Sequence, residues 1–175
     1  MAATKLIPYT VQIHPNGEAS EDDLWDLTNL QQYDTTVQSQ LGASSDATAV
    51  SDVETFTDLF RSFCQYYETN LADLGEEVER LSNVTLALST DWESSEQVVE
   101  GNLYLGNYGV VRNLVDRQSG ERRERGRDID DAEEKPLYFM TYTPSGNAKE
   151  AYLLLERSRR YGAKEPFHIT LRRWI

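Results

Sequence analysis

Cysteine is all but missing from this chain, and its single thiol, Cys64, excludes an intrachain disulfide and any cysteine-rich zinc site. Cys64 lies in FRSFCQYYE on an expected helix, where a buried inert thiol is the common outcome and a nucleophile the rare one. Histidine is almost as scarce, with only His14 and His168. No apolar run reaches the roughly 20 residues needed to span a bilayer. The first residues lack a charged segment followed by a long apolar one, so no signal peptide is read there. These absences predict a cytoplasmic protein with no membrane partner. HExxH, a Walker-type glycine loop and Gly-x-Ser-x-Gly are also missing. No motif names a reaction, no cofactor or metal is implied, and a non-enzymatic role is the leading expectation.

What is present is acid and arginine. The 175 residues, 39% of them hydrophobic, suit one domain over 1–175 that is long enough to bury a core. The formal net charge is −13, and the basic residues are arginine apart from Lys5, Lys135, Lys149 and Lys164. An acidic surface keeps a protein hydrated in concentrated salt, which screens the self-repulsion. The composition therefore predicts a halophilic prokaryote; an acidic mesophilic protein from a GC-rich genome is the alternative.

The organising stretch is 97–157. Leu103, Leu105, Tyr108, Val110, Val111, Leu114 and Val115 are punctuated by Gly101, Gly106 and Gly109. Each interior glycine costs a helix about 1 kcal/mol, whereas in a strand it marks a bulge or a close backbone approach. Ser119-Gly120 signals a turn, with Arg122 to Arg127 as the return strand. The run 137–143 is aromatic-rich and bracketed by Pro136 and Pro144, and 151–156 is a short apolar strand.

Before this stretch, Ile7, Tyr9, Val11 and Ile13 alternate as an edge strand containing Pro8. Ser20 is read as the cap of a short amphipathic helix through Leu24, Leu27 and Leu30, and 38–49 as a loop. Ser51 or Asp52 caps the main helix over 52–71, with apolar residues at three-and-four spacing from Val53 to Leu71. A second helical piece is read over 74–81, and 83–89 fits a strand or a helix end. An acidic link is read over 128–134, and 164–175 leans towards helix. Together these predict an α+β fold. Its antiparallel sheet joins the N-terminal strand to a C-terminal β meander and is covered on one face by helices.

Charge is divided unevenly. Residues 1–100 hold three Lys/Arg against 19 Asp/Glu, a net of −16, whereas 101–175 hold 14 against 11, a net of +3. Arg117, Arg122, Arg123, Arg125 and Arg127 crowd the hairpin, and Arg157, Arg159 and Arg160 follow the last strand. Guanidinium groups bind phosphate in a bidentate manner, and interleaved tyrosines such as Tyr108 offer faces on which bases stack. This predicts a surface for nucleic acid or an acidic protein partner. The competing reading is intramolecular pairing with Glu121, Glu124, Asp128 and Asp130 beside them.

Two resemblances bear on function. Phe167-His168-Ile169-Thr170-Leu171 resembles one half of the repeated His-x-Thr signature of the 2H phosphoesterases. That resemblance implies a phosphodiesterase, with two histidines as general base and acid and each threonine hydroxyl on the phosphate. His168 and Thr170 would be the catalytic candidates. His14 would supply the second half, but Pro15 and Asn16 follow it, so the second threonine is missing. An ordinary surface or capping histidine is the alternative. A strand with Gly-x-Tyr-Gly, a basic hairpin, Pro-Leu-Tyr-Phe and a Gly-x-Lys step is also similar to prokaryotic proteins found among accessory and defence-type genes. That similarity implies a recognition domain. A structural or assembly protein is the third class, and the oligomeric state is left open.

Overall fold

The computed structural model describes residues 4–14, 24–33, 53–74, 81, 83–109, 112–115, 118–119, 121–127, 133–158 and 161–174. Side chains are described for all of these except 33, 112–115, 122–127, 133, 161 and 173. The elements are β1 (Thr4–Val11), a 3-10 turn (Leu30–Tyr33), α1 (Phe56–Thr69), β2 (Ala72–Asp73), β3 (Val84–Leu88), β4 (Glu93–Ser94), β5 (Val98–Asn107), β6 (Arg112–Val115), β7 (Arg122–Arg127), β8 (Glu133–Tyr142), β9 (Ala151–Ser158), β10 (Tyr161–Gly162) and α2 (Lys164–Trp174).

An antiparallel sheet with the order β1-β9-β8-β5-β3-β2 dominates the fold; β4 adds to β5 and β10 to β9. The class is α+β, as the sequence predicts. Period-two alternation sets the two faces. Leu137, Phe139 and Thr141 of β8, Ala151, Leu153 and Leu155 of β9, and Val99, Leu103 and Leu105 of β5 are buried on one face. Both helices pack there. Phe60 of α1 lies against Phe56, Phe63, Phe139 and Phe167, with centroids 5.3–6.0 Å apart, so one ring ties α1 to the sheet and to α2. On the other face, Leu6, Tyr142 and Tyr152 are exposed, and the two tyrosines stack at 6.3 Å.

The strand pairing corrects the meander. β5 pairs directly with β8 from Val98↔Tyr142 to Asn107↔Glu133. β6 and β7 form a separate two-stranded sheet. They are an inner hairpin inserted between two strands that already neighbour each other. Pro136 also lies inside β8, not at its start. The β8–β9 register covers only Phe139 to Tyr142, so β8 has lost one neighbour at Pro136 and a missing N–H is tolerated there.

Local capping corrects the main helix. Its N-cap is Thr55: the hydroxyl accepts the Asp58 backbone N–H, and the Asp58 carboxylate accepts the Thr55 backbone N–H at 3.1 Å. Asp58 therefore closes a capping box as well as favouring the positive end of the helix. The expected helix through Leu24, Leu27 and Leu30 is irregular up to Leu30. Its backbone takes tertiary partners instead: the Trp25 N–H donates to the Ile13 carbonyl, the Leu27 N–H to Ala148 and the Leu30 N–H to Glu54. The three leucines are buried all the same. Of the expected second helix over 74–81, Leu74 follows β2 and donates to the Val84 carbonyl, while 75–80 lie outside the described residues. The loop at 38–49 and the Ser20 and Ser51/Asp52 caps also lie outside them, as does the acidic link up to 132. Within 83–89 the strand is Val84–Leu88, and the C-terminal segment is helix over Lys164–Trp174.

Gly101 shows why β5 carries a glycine in its middle. A Cβ there would meet the Trp92 Cβ at 2.7 Å and its Cα at 2.9 Å. Trp92 crosses the strand at that point, and its indole N–H donates to Glu68 of α1 at 3.0 Å.

Candidate functional site

Strand direction decides where the arginines gather. β5 ends at Asn107 opposite Glu133, where β8 begins, and the β6–β7 hairpin continues from that end. β9 runs antiparallel to β8, so its final residues approach the same end. β9 and β10 pair as Ser158↔Tyr161 and Arg157↔Gly162, which makes Arg159 and Arg160 the two-residue link between them. Those two residues are outside the described set. In β1, Lys5 is paired with Arg157. Two arginine groups some 30 residues apart in sequence are thereby brought to one end of the sheet. Arg157 and Lys5 are exposed. Among the described residues, the Arg157 side chain has no hydrogen-bond or ion-pair partner, while its backbone is held in the ladders with β1 and β10.

The inner hairpin is basic in its strands. β6 (RNLV) and β7 (RRERGR) contain Arg112, Arg122, Arg123, Arg125 and Arg127 against one acid, Glu124. Arg112 is directly opposite Arg127 in the register. Arg117 is outside the described residues. The acids of this region are concentrated in the flanking links: Asp116, Glu121, Asp128, Asp130 and Asp131.

Tyr108 has a different place from the one its composition suggests. It stands at the root of the hairpin, half-buried, with its hydroxyl donating to the Asp73 carboxylate at 3.0 Å. Its backbone N–H donates to the Asn83 carbonyl at 3.1 Å. Gly109 follows with φ +83°, a conformation that side chains disfavour, packed against the Asn83 side chain. This pair of residues anchors the exit from β5. Asp73, in the two-residue strand β2, and Asn83, just before β3, are contributors that sequence reasoning missed, because neither contact leaves a trace in local periodicity.

The His-x-Thr echo falls on α2. Thr170 is fully buried, and its hydroxyl donates to the Pro166 carbonyl at 2.9 Å, an internal helical bond. His168 is exposed. Residues two apart on a helix point to nearly opposite sides, so the two side chains are not brought together as a strand would bring them. His14 is exposed just after β1. Cys64 is buried on α1, and burial, with help from Glu68, pushes its thiol well above the usual range. A thiolate nucleophile is therefore disfavoured. Among the described residues, no three His, Cys, Asp or Glu side chains are grouped as a metal site, and no helix is long and apolar enough to cross a membrane.

No family model matches the chain, and no curated protein or solved structure is similar enough to count as a match.

Proposed function

We propose that this protein is a non-enzymatic recognition module that takes a polyanion at the basic end of its sheet, nucleic acid first and an acidic protein surface second. One observation carries the reading: the inner hairpin has five arginines and a single acid in its strands, and it extends from the sheet end where β9 delivers Arg157. Arginine suits this role because its planar fork bonds phosphate or carboxylate in pairs. The rest of the molecule is strongly acidic and would repel a polyanion, so contact would be confined to this end. A place in an accessory or defence-type system would suit a recognition role. The acidic remainder suits a salt-loving prokaryote, in which concentrated salt limits the reach of the repulsion to about 3 Å at 1 M.

The test is fluorescence anisotropy with single-stranded RNA, single-stranded DNA and duplex DNA, alongside protein co-purification in molar potassium chloride. If about four or five phosphates are contacted, log affinity for a single strand falls against log salt with a slope of about −3. Arg122→Glu with Arg125→Glu is expected to abolish binding and leave circular dichroism unchanged. Equal affinity of the double variant and the parent for every nucleic acid and every co-purifying protein would remove this function.

A further inference from the structure

A second site lies on the helical side of the sheet, away from the arginine hairpin. The edge strand β1 and helix α2 are separated by a groove of about 320 Å³. That is near the lower end of the roughly 300–1,000 Å³ usual for small-molecule sites. Its floor is apolar, formed by Val11 of β1, Leu153 and Leu155 of β9, and Phe167 and Leu171 of α2. Its rim carries Lys164 and His168, successive turns of one helix face.

The charge of the groove is what commits it to a ligand. The chain has a net charge of −13, yet among the described residues no carboxylate lines this groove. Among the described lining residues, Lys164 and His168 are the ones able to carry positive charge. The Lys164 ammonium is held over the Tyr9 ring, 5.2 Å from its centroid, and Tyr9 also lines the groove. This cation–π contact sets the ammonium at the groove mouth, not out in solvent. Lys164 is also the first residue of α2, where a positive charge opposes the helix dipole. Its position is thus unfavourable for the helix and favourable for an anion. The adjoining hollow of about 240 Å³ is mixed: Arg157 and Lys164 share it with Glu156 and Glu165. The Glu156 carboxylate there accepts the Tyr138 backbone N–H at 2.9 Å.

We infer that the β1–α2 groove binds a small apolar carboxylate, with its hydrocarbon or aromatic body on the Leu153–Phe167–Leu171 floor and its head between Lys164 and His168. Among the described residues none of the arginines of the polyanion surface lines this groove, although Lys164 borders Arg157 in the adjoining hollow, and the two readings are tested with different ligands.

Isothermal titration with 3-phenylpropionate, 3-phenylpropanol and 3-phenylpropylamine tests it at low and at molar potassium chloride. The carboxylate is expected to bind at least tenfold tighter than the alcohol at low salt, and the amine not to bind. Lys164→Gln with His168→Gln is expected to remove the preference for the carboxylate and keep the weak affinity for the alcohol. Both positions are exposed, so folding survives and circular dichroism checks it. Val11→Phe fills the groove from the strand side and is expected to abolish binding of both. Absence of carboxylate binding, equal affinity for all three compounds, or a preference that persists in the double variant would overturn the inference. So would undiminished binding to a folded Val11→Phe protein.

Discussion

Tyr138 sits where two glutamates meet on the sheet face that carries no helices. Its hydroxyl donates to Glu100, and its backbone N–H is taken by Glu156. Partial burial first, then the Glu100 carboxylate as hydrogen-bond acceptor and as negative charge, pushes the phenol from 10.0 up to about 12. The raised value fixes the sign of a pH effect. In the unfolded chain the phenol ionises near 10, whereas in the fold it keeps its proton up to about 12. The stability tied to the neutral phenol is therefore complete below about pH 10 and is lost as pH climbs towards 12. Tyr138→Phe removes this dependence. Unfolding midpoints of the parent and the variant, measured from pH 8 to pH 12, are expected to differ by a margin that narrows across the upper two units. Parallel curves would show that Glu100 does not hold the proton. At this scale the sequence was informative about chemistry and silent about partners: the buried inert reading of Cys64 came from its apolar helical neighbours, but nothing local pairs Tyr138 with Glu100 or Tyr108 with Asp73.

Among the elements, α1 is the one whose interior is written most plainly. Phe56, Leu59, Phe60, Phe63, Cys64 and Tyr67 recur at helical spacing, and all are buried. Its start was harder to read because Ser51, Asp52 and Thr55 are all competent caps. Thr55 takes the cap because Asp58, three residues on, returns a bond to it and closes a capping box. Thr55→Ala is expected to cost about 1 kcal/mol, whereas Ser51→Ala changes nothing measurable in chemical denaturation. Equal losses from the two substitutions would put the cap elsewhere. The segment 24–33 failed as a helix for a converse reason: leucines at three-residue spacing fit a helix, but they equally fit a strap whose N–H groups donate to Ile13, Ala148 and Glu54. Such long-range carbonyls cannot be seen from ten residues of sequence. The sheet order was illegible for a similar reason. Four successive strands read as a meander unless something reveals that the outer two, β5 and β8, pair with each other around the inner two.

That nested hairpin gives the whole molecule its asymmetry. The strands share one axis, and the arginine-bearing hairpin and the β9–β10 link lie at one end of it, whereas the end where β5 begins holds exposed Glu93 and Glu96 and, beside β9, Glu150. The segregation arises because β5 and β8 are adjacent: any insertion between them must leave the sheet at the Asn107–Glu133 end. The same adjacency makes the insertion removable. Deleting 110–132 and joining Gly109 to Glu133 leaves Tyr108 and Gly109 as a two-residue loop, a length that hairpins favour, with positive φ already present at Gly109. The bonds of Tyr108 to Asn83 and Asp73 can persist. The excised segment holds six arginines and six acids, so the net charge stays at −13. The shortened protein is expected to keep its β-rich circular dichroism and an unfolding midpoint within a few degrees of the parent, yet to lose salt-dependent binding to nucleic acid. Because total charge is unchanged, that loss could not be a general repulsion and would locate recognition in the clustering of arginine along β6 and β7. If the shortened protein bound as tightly as the parent, the polyanion would have to be held by Arg157 and the β9–β10 link alone.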